Sequence, residues 1–572
     1  MIVRPLLAGL AALSLTTSAI AQTQQAAPAS PVAPQDFSAD AFRAHVTFLA
    51  DDLLEGRDTG SRGYEIAARY VATQFAALGL QPGGVNGSWY QPVEFVRYTG
   101  ANDATITVGG RTFTQGREMT MRASPDTAAL NAEAELVFVG YGLDMPSHGF
   151  DDYRGLDVRG KIVVVLSGLP SGTPSDVAAH LSSDKRRMAG ARGAIGMITV
   201  RTRADAQTVP WDRAVRFGGR PAMTWAEPDG TPHNDGAGLR FSAGVSEEAA
   251  QTLFTGARRS LDAVLSEAAT AGVKPRGFAL TQRARVTRGA GTSTRMSSPN
   301  VVAILPGTDP SVANEYVLLT AHLDHIGIRD PRPNDAPNAD RINNGALDNA
   351  GGIATLIEVA RAFSRPGNRP RRPIMIAAVA AEEKGLLGAG FLAHHPLVPA
   401  GARVISDVNL DMPILIYDFQ DVIAFGAEHS TMGPTVARAA ARMNVRLSPD
   451  PLPEEGLFTR SDHYNFVKAG IPTVFLMTGF ANGGEAAFRG FLAGNYHGVG
   501  DDLSQPINWQ AGARFARLNY LIAREIADGA EVPRWYRGSF FGDAFGGNQP
   551  RAPRPTGTDA PVAAGTTQPA GH

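Results

Sequence analysis

Residues 316–325 read YVLLTAHLDH, and residues 374–383 read IMIAAVAAEE. Each opens with an unbroken apolar run and closes on side chains that bind metals or move protons. A short apolar run without polar alternation forms a strand buried on both faces. Residues 301–305, 404–410 and 471–477 repeat the pattern, and residues 351–363 between them carry apolar side chains at helical spacing. Strands of this kind alternating with helices predict an α/β fold, a mostly parallel mixed sheet flanked by helices.

Upstream, residues 37–79 place Phe42, Val46 and Leu49, then Ile66, Ala67, Tyr70, Val71, Phe75 and Leu78 at helical intervals. Two helices broken at DLLEGRDTGSRG (52–63) fit that spacing. Residues 120–285 change character, with short apolar runs at 136–140, 161–166 and 195–200 punctuated by Gly, Asp and Pro. The pattern therefore sets apart a middle section at about 120–285 from the segments on either side.

The ends read differently. Residues 1–21 hold Arg4, an apolar run over 5–15 and the small-residue site Ala19-Ile20-Ala21. That is the plan of a secretory leader cleaved before Gln22. The expectation is therefore an exported protein, periplasmic or extracellular, with no membrane insertion after cleavage. Residues 22–36 read as a linker and 544–572, rich in Pro, Gly and Thr, as a disordered tail. The Asn86-Gly87-Ser88 sequon is assigned no role.

Composition narrows the chemistry. The 53 basic and 55 acidic residues nearly cancel, leaving a formal net charge of −2. Neither a nucleic-acid partner nor an anionic membrane surface is expected. There is no cysteine, which removes disulfides, thiolate metal sites and cysteine nucleophiles together. Any metal must be held by His, Asp and Glu.

Such residues follow the strands. His322, Asp324 and His325 come after 316–320, Glu382 and Glu383 after 374–380, and Asp411 after 404–410. Asp348 opens the helix at 351, and His497 lies in a Gly-flanked loop. Strand carboxyl ends in an open α/β sheet face one crevice. Buried together there, these carboxylates need a cation. Two histidines and three carboxylates suit two zinc ions with one shared carboxylate.

The segments TAHLDHIG, GALDNAGG, AAEEKGLLGAGF, NLDM, SDHYNF and NYHGVGDD, in this order, resemble peptidase family M28, co-catalytic zinc exopeptidases. The resemblance covers about 37–118 and 286–535 and implies the zinc exopeptidase fold. It implies that His322 and Asp411 hold one zinc, that Glu383 and His497 hold the other, and that Asp348 bridges them. Glu382 becomes the general base acting on a water shared by the two ions. Asp324 resembles the carboxylate that fixes the His322 imidazole. Asp501 takes that part near His497, with Asp502 equivalent by spacing. Tyr496 resembles an oxyanion-stabilising position or packs beside the loop. The middle segments ELVFVGYGLDMPSHGFDDYRGLDVRGKIVVVLSG and GARGAIGMITV resemble a protease-associated domain, a smaller α/β insert at 119–285 that either covers the cleft or is purely structural.

The remaining histidines His325, His394, His395 and His429 are read as structural or surface residues. Ser461-Asp462-His463 is expected to shape the pocket, since no Gly-x-Ser-x-Gly elbow supports a serine triad. The function implied is an aminopeptidase acting on peptide substrates. The rivals are a carboxypeptidase of the same family, a non-catalytic binding protein on this scaffold and a single-zinc glutaminyl cyclase.

Overall fold

A computed structural model describes residues 37–555, so the leader, the linker and residues 556–572 lie outside the described residues. Two mixed sheets organise the chain. At the centre of the larger one lie four parallel strands in the order Ile374–Val379, Glu315–His322, Arg403–Leu410 and Thr473–Thr478. They are buried along nearly their whole length, as largely apolar strands covered on both faces are, and in Arg403–Leu410 the buried Asp407 and Asn409 accept from the Thr320 hydroxyl.

On one side Thr292–Leu305 and Tyr90–Thr99 add antiparallel, and on the other Asp421–Phe425 does the same. Beyond Asp421–Phe425 the short edge strand Arg446–Ser448 pairs parallel again, so the sheet is mixed outside its four-stranded centre. Gly351–Ser364 and Trp509–Asp528 pack together on one face with Ala39–Leu49 against both. Leu387–His394 and His463–Lys468 pack against each other, and Leu392 and Phe466 join the apolar cluster of Val302, Leu318, Met375 and Ala377. Among the described residues no helix is long and apolar enough to cross a membrane.

The second sheet runs Arg111–Thr114, Thr105–Val108, Phe278–Arg288, Leu130–Phe138, Ile162–Leu166, Gly196–Val200, Phe241–Val245 and Met119–Met121. Its first strand therefore begins at Thr105, upstream of the boundary at 119. The strand Ala222–Trp225, inside the insert in sequence, pairs instead with Tyr90–Thr99 at the edge of the larger sheet. A four-residue strand has too little pattern of its own to reveal which sheet accepts it.

The chain also stays ordered past 544. Trp535 Nε1 donates to the Gly470 carbonyl at 2.9 Å, and Phe541 at the start of the Phe540–Phe545 helix is fully buried. Tyr536 bridges to Ala552. These aromatic side chains just upstream of 544 are seated on the main domain, and Gln549 Nε2 continues the contact by donating to the Gly470 carbonyl at 3.2 Å.

Candidate metal centre

The carboxyl ends of the central strands open into a cavity of about 280 Å³ lined by His322, Asp348, Glu382, Asp411, Tyr496 and His497. The positions singled out in the sequence converge there. His322 Nε2 lies 3.0 Å from Asp411 Oδ1 and 3.3 Å from Asp348 Oδ1. His497 Nε2 lies 3.4 Å from Asp348 Oδ2 and 3.1 Å from Glu383 Oε2. Asp348 thus turns one oxygen to each histidine. Glu382, next to Glu383 in sequence, instead presents its carboxylate beside His322 and Asp411 and into the cavity.

The local backbone accounts for this aim. Gly345 adopts φ +63°, and a Cβ there would stand 2.3 Å from the Asp348 carbonyl, so only glycine fits. Asn349 ties the Asp348 turn to the Asp411 turn. Its Nδ2 donates to the Leu410 carbonyl at 2.9 Å, and its Oδ1 accepts from Gly352 N at 3.0 Å. The peptide bond between Asp348 and Asn349 is cis.

Three assignments change in detail. The Asp324 carboxylate does not hold the His322 ring: His322 Nδ1 donates to the Asp324 main-chain carbonyl at 3.1 Å. That bond still fixes the tautomer that leaves Nε2 facing the cavity. The Asp324 side chain accepts instead from the Glu382 and Glu383 amides, at 3.1 and 3.4 Å, and from Thr59 Oγ1. Asp501, fully buried, accepts from Leu347 N and Asp348 N at 2.9 and 3.0 Å, so it orients the Asp348 turn and not His497. Asp502 caps Ser504 at the surface. These carboxylates are the acceptors nearest to unpaired amides at the turns, a pairing that sequence spacing does not encode.

Two contacts differ from what the sequence suggested. His325 is fully buried with Nδ1 2.7 Å from Glu383 Oε1, and it groups with Asp348 and Glu383 as a further donor. A second His three residues after His322 and next to Asp324 was its only signal. Ser461 Oγ donates to Asp411 Oδ2 at 2.6 Å and so orients that carboxylate. His463 makes no hydrogen bond through either ring nitrogen, so no Ser–His pair forms. Tyr496 stacks on His497 with ring centroids 3.9 Å apart and lines the cavity. His394, His395 and His429 lie away from the cavity. His395 faces Glu227, and His429 faces Asp176 of the insert at 2.8 Å.

The insert reaches the site indirectly. Its Ser175–Ala191 helix packs on the turns at 453–459, where a Cβ at Gly456 would meet Ala179 Cβ at 3.1 Å. His180 Nδ1 pairs with the Tyr464 hydroxyl at 2.6 Å. The helix therefore buttresses the segment that supplies Glu455, Leu457, Arg460 and Ser461 to the cavity wall.

The electrostatics are those of a cation site. Burial disfavours a charged His322, yet Asp411, Glu382 and Asp348 outweigh it and raise its pKa well above the usual imidazole value. Burial likewise opposes a charged His497, but Asp348 and Glu383 push it up to about 10. Against its own burial, His322 and His497 hold Asp348 far below the carboxylate range. Burial pushes Glu382 well up, with His322 opposing and Asp411 and Glu383 adding. Among the described residues the ion pairs of Asp348, Glu383 and Asp411 are all with histidines. A buried nitrogen and oxygen donor set with excess negative charge and no Lys or Arg partner fits divalent zinc.

Residues 300–523 match the model of peptidase family M28. The chain is 28% identical over 194 residues to leupeptin-inactivating enzyme 1 of Streptomyces exfoliatus, covering 33% of this chain and 37% of that protein. It is 38% identical over 107 residues to a probable zinc metalloprotease of Pyricularia oryzae, covering 18% and 19%. The match thus spans about a third of the first relative's length and a fifth of the second's. Among solved structures, an aminopeptidase from Aneurinibacillus sp. strain AM-1 aligns at 20% identity and a TM-score of 0.48, covering 87% of this chain and 96% of that one. BSAP, a zinc aminopeptidase from Bacillus subtilis, aligns at 18% identity and 0.41, covering 87% and 97%.

Proposed function

Residues 300–523 belong to peptidase family M28, and from that premise we propose that the chain is an exported dizinc aminopeptidase that releases N-terminal residues from peptides. The observation that carries this reading is Asp348, whose two oxygens face His322 with Asp411 on one side and His497 with Glu383 on the other. In this reading those five residues hold two ions. Bound there, paired zinc ions acidify water and polarise a scissile carbonyl.

The chain's own groups do the rest. Glu382, facing the cavity beside His322 and Asp411, takes a proton from the attacking water and passes it to the leaving amine. Asp324 holds the Glu382 and Glu383 amides and so fixes the main chain from which the base projects. Tyr496, stacked on His497, is positioned to donate to a developing oxyanion. The insert supports the cavity wall, and the leader-like residues 1–21 support export.

Met412, Leu457, Phe475, Met477, Phe488 and Leu492 line the cavity beside these groups. They favour an apolar N-terminal side chain. Leucyl, methionyl and phenylalanyl p-nitroanilides are expected to be cleaved about tenfold or more faster than glycyl or aspartyl ones. A zinc-loaded protein that leaves the whole panel and short free-amine peptides intact would refute the aminopeptidase.

One observation favours the carboxypeptidase alternative. Arg460 lines the same cavity, a cation that the sequence left unassigned. It sits 3.4 Å from Glu455, which also lines the cavity and offsets its charge. Comparing N-acetylated with free-amine dipeptides separates the two: the aminopeptidase cleaves only the free amines.

Metal uptake carries its own signature. With folded-state pKa values raised, His322 and His497 are protonated at neutral pH in the metal-free protein, and an ion must displace those protons. Calorimetry in buffers of different ionisation heat is expected to show release of about two protons per chain on zinc binding, with affinity falling as pH is lowered. Zinc binding without proton release would contradict the donor assignment.

A further inference from the structure

Arg57, in the segment that the sequence offered only as a break between two helices, is 1% exposed. Its guanidinium spends its donors on main-chain carbonyls alone. Nε donates to Leu323 at 3.0 Å, Nη1 to Asn344 at 2.6 Å and to Leu49, and Nη2 to Gly345 at 3.1 Å. Leu323 lies between His322 and Asp324, and Gly345 lies three residues before Asp348. The Arg57 carbonyl in turn accepts from His325 N at 3.2 Å.

The neighbouring backbone is threaded just as tightly. Gly56 has φ +68°, and a Cβ there would stand 2.4 Å from the Asn343 carbonyl. Among the described residues Arg57 forms no ion pair. A buried cation without a carboxylate partner is costly to keep, and its compensation comes from the acidic centre alongside. Burial lowers its pKa to about 10 while Asp501, Asp324, Asp348 and Glu383 oppose that shift, so it stays charged at neutral pH.

We propose that Arg57 is a positioning residue whose guanidinium sets the separation of the loop bearing His322 and the loop bearing Asp348, and with it the geometry of the metal centre. The assignment rests on the reading of that centre given above. A planar fork reaches carbonyls on two loops and a helix end at once, whereas an ammonium is a point donor on a shorter reach. Arg57→Lys therefore keeps the charge and loses the span.

The test uses the full-length mature protein in wild-type, Arg57→Lys and Arg372→Lys forms. Arg372 is an equally buried arginine that bonds Glu315 and the Ile526 and Gly529 carbonyls, outside the centre. Zinc affinity is measured by competition with a chelating dye, and amide exchange is followed over 322–327 and 343–348 in the metal-free protein. Absorption of the cobalt-loaded forms reports the ligand field.

Arg57→Lys is expected to weaken zinc binding at least about tenfold, to shift the cobalt bands and to speed exchange in both loops. Arg372→Lys should lower stability and leave all three readouts unchanged. Unchanged loop exchange in Arg57→Lys, or equal effects from Arg372→Lys, would overturn the proposal. Should Arg57→Lys not fold, Arg57→Gln takes its place with the same criteria. If wild-type protein binds no zinc, the peptidase reading fails, while loop exchange still decides for or against the clamp.

Discussion

Glu382→Gln is expected to lower kcat by at least about a thousandfold, roughly 4 kcal/mol of transition-state stabilisation, while leaving zinc content at the wild-type level. The side chain faces the cavity beside His322 and Asp411, and glutamine fills its volume without accepting a proton. The donors His322, Asp348, Glu383, Asp411 and His497 keep their partners, because Asp324 grips the main chain at 382 and 383 and not the Glu382 carboxylate. Metal analysis alongside steady-state kinetics checks both halves. Near wild-type turnover would remove Glu382 as the base, and loss of zinc together with turnover would make it a ligand.

Asp348→Ala should act by a different route and empty the centre. Each histidine would be left with one carboxylate partner from the proposed set, Asp411 for His322 and Glu383 for His497, below the three or four protein ligands that zinc sites use. The expected outcome after dialysis is less than about one zinc per chain and no measurable hydrolysis. Nearby donors able to compensate are Glu382 beside His322 and Asp411, and His325 beside Glu383. A variant that keeps two ions would show that Asp348 is not an essential ligand of either set. The two substitutions thus separate proton transfer from metal retention.

Much of this centre was legible before any coordinates. Strand ends in a buried parallel sheet are marked by the apolar runs themselves, so His322, Glu382, Glu383 and Asp411 could be placed on one edge from the sequence. The parts that were not legible are contacts between distant segments. Asp324 and Asp501, expected beside the His322 and His497 rings, instead accept from the 382–383 and 347–348 amides. Which amide a carboxylate meets depends on how two loops pack, and neighbours in sequence carry no record of it. Arg57 and Ser461 stand 266 and 50 residues from the groups they orient. His325 looked like one more core histidine until the fold set it against Glu383.

The boundaries show the same division. Residues 120–285 differ in pattern from their flanks, but that pattern did not reveal Ala222–Trp225 crossing to the larger sheet, because a short strand gains its stability from the edge it finds. Burial of Trp535 and Phe541 likewise needed the grooves that receive them.

By itself the sequence determined the fold class, through the periodicity of burial, and the donor inventory, through the absence of cysteine and the placing of His, Asp and Glu after strands. Tertiary structure alone decided which oxygen of Asp348 faces which histidine, which ring nitrogen of His322 is free and which cation holds the two loops apart. Those choices are set by separations of about 3 Å between segments far apart in the chain, within hydrogen-bond reach, and only the packed sheet and its loops fix distances of that size.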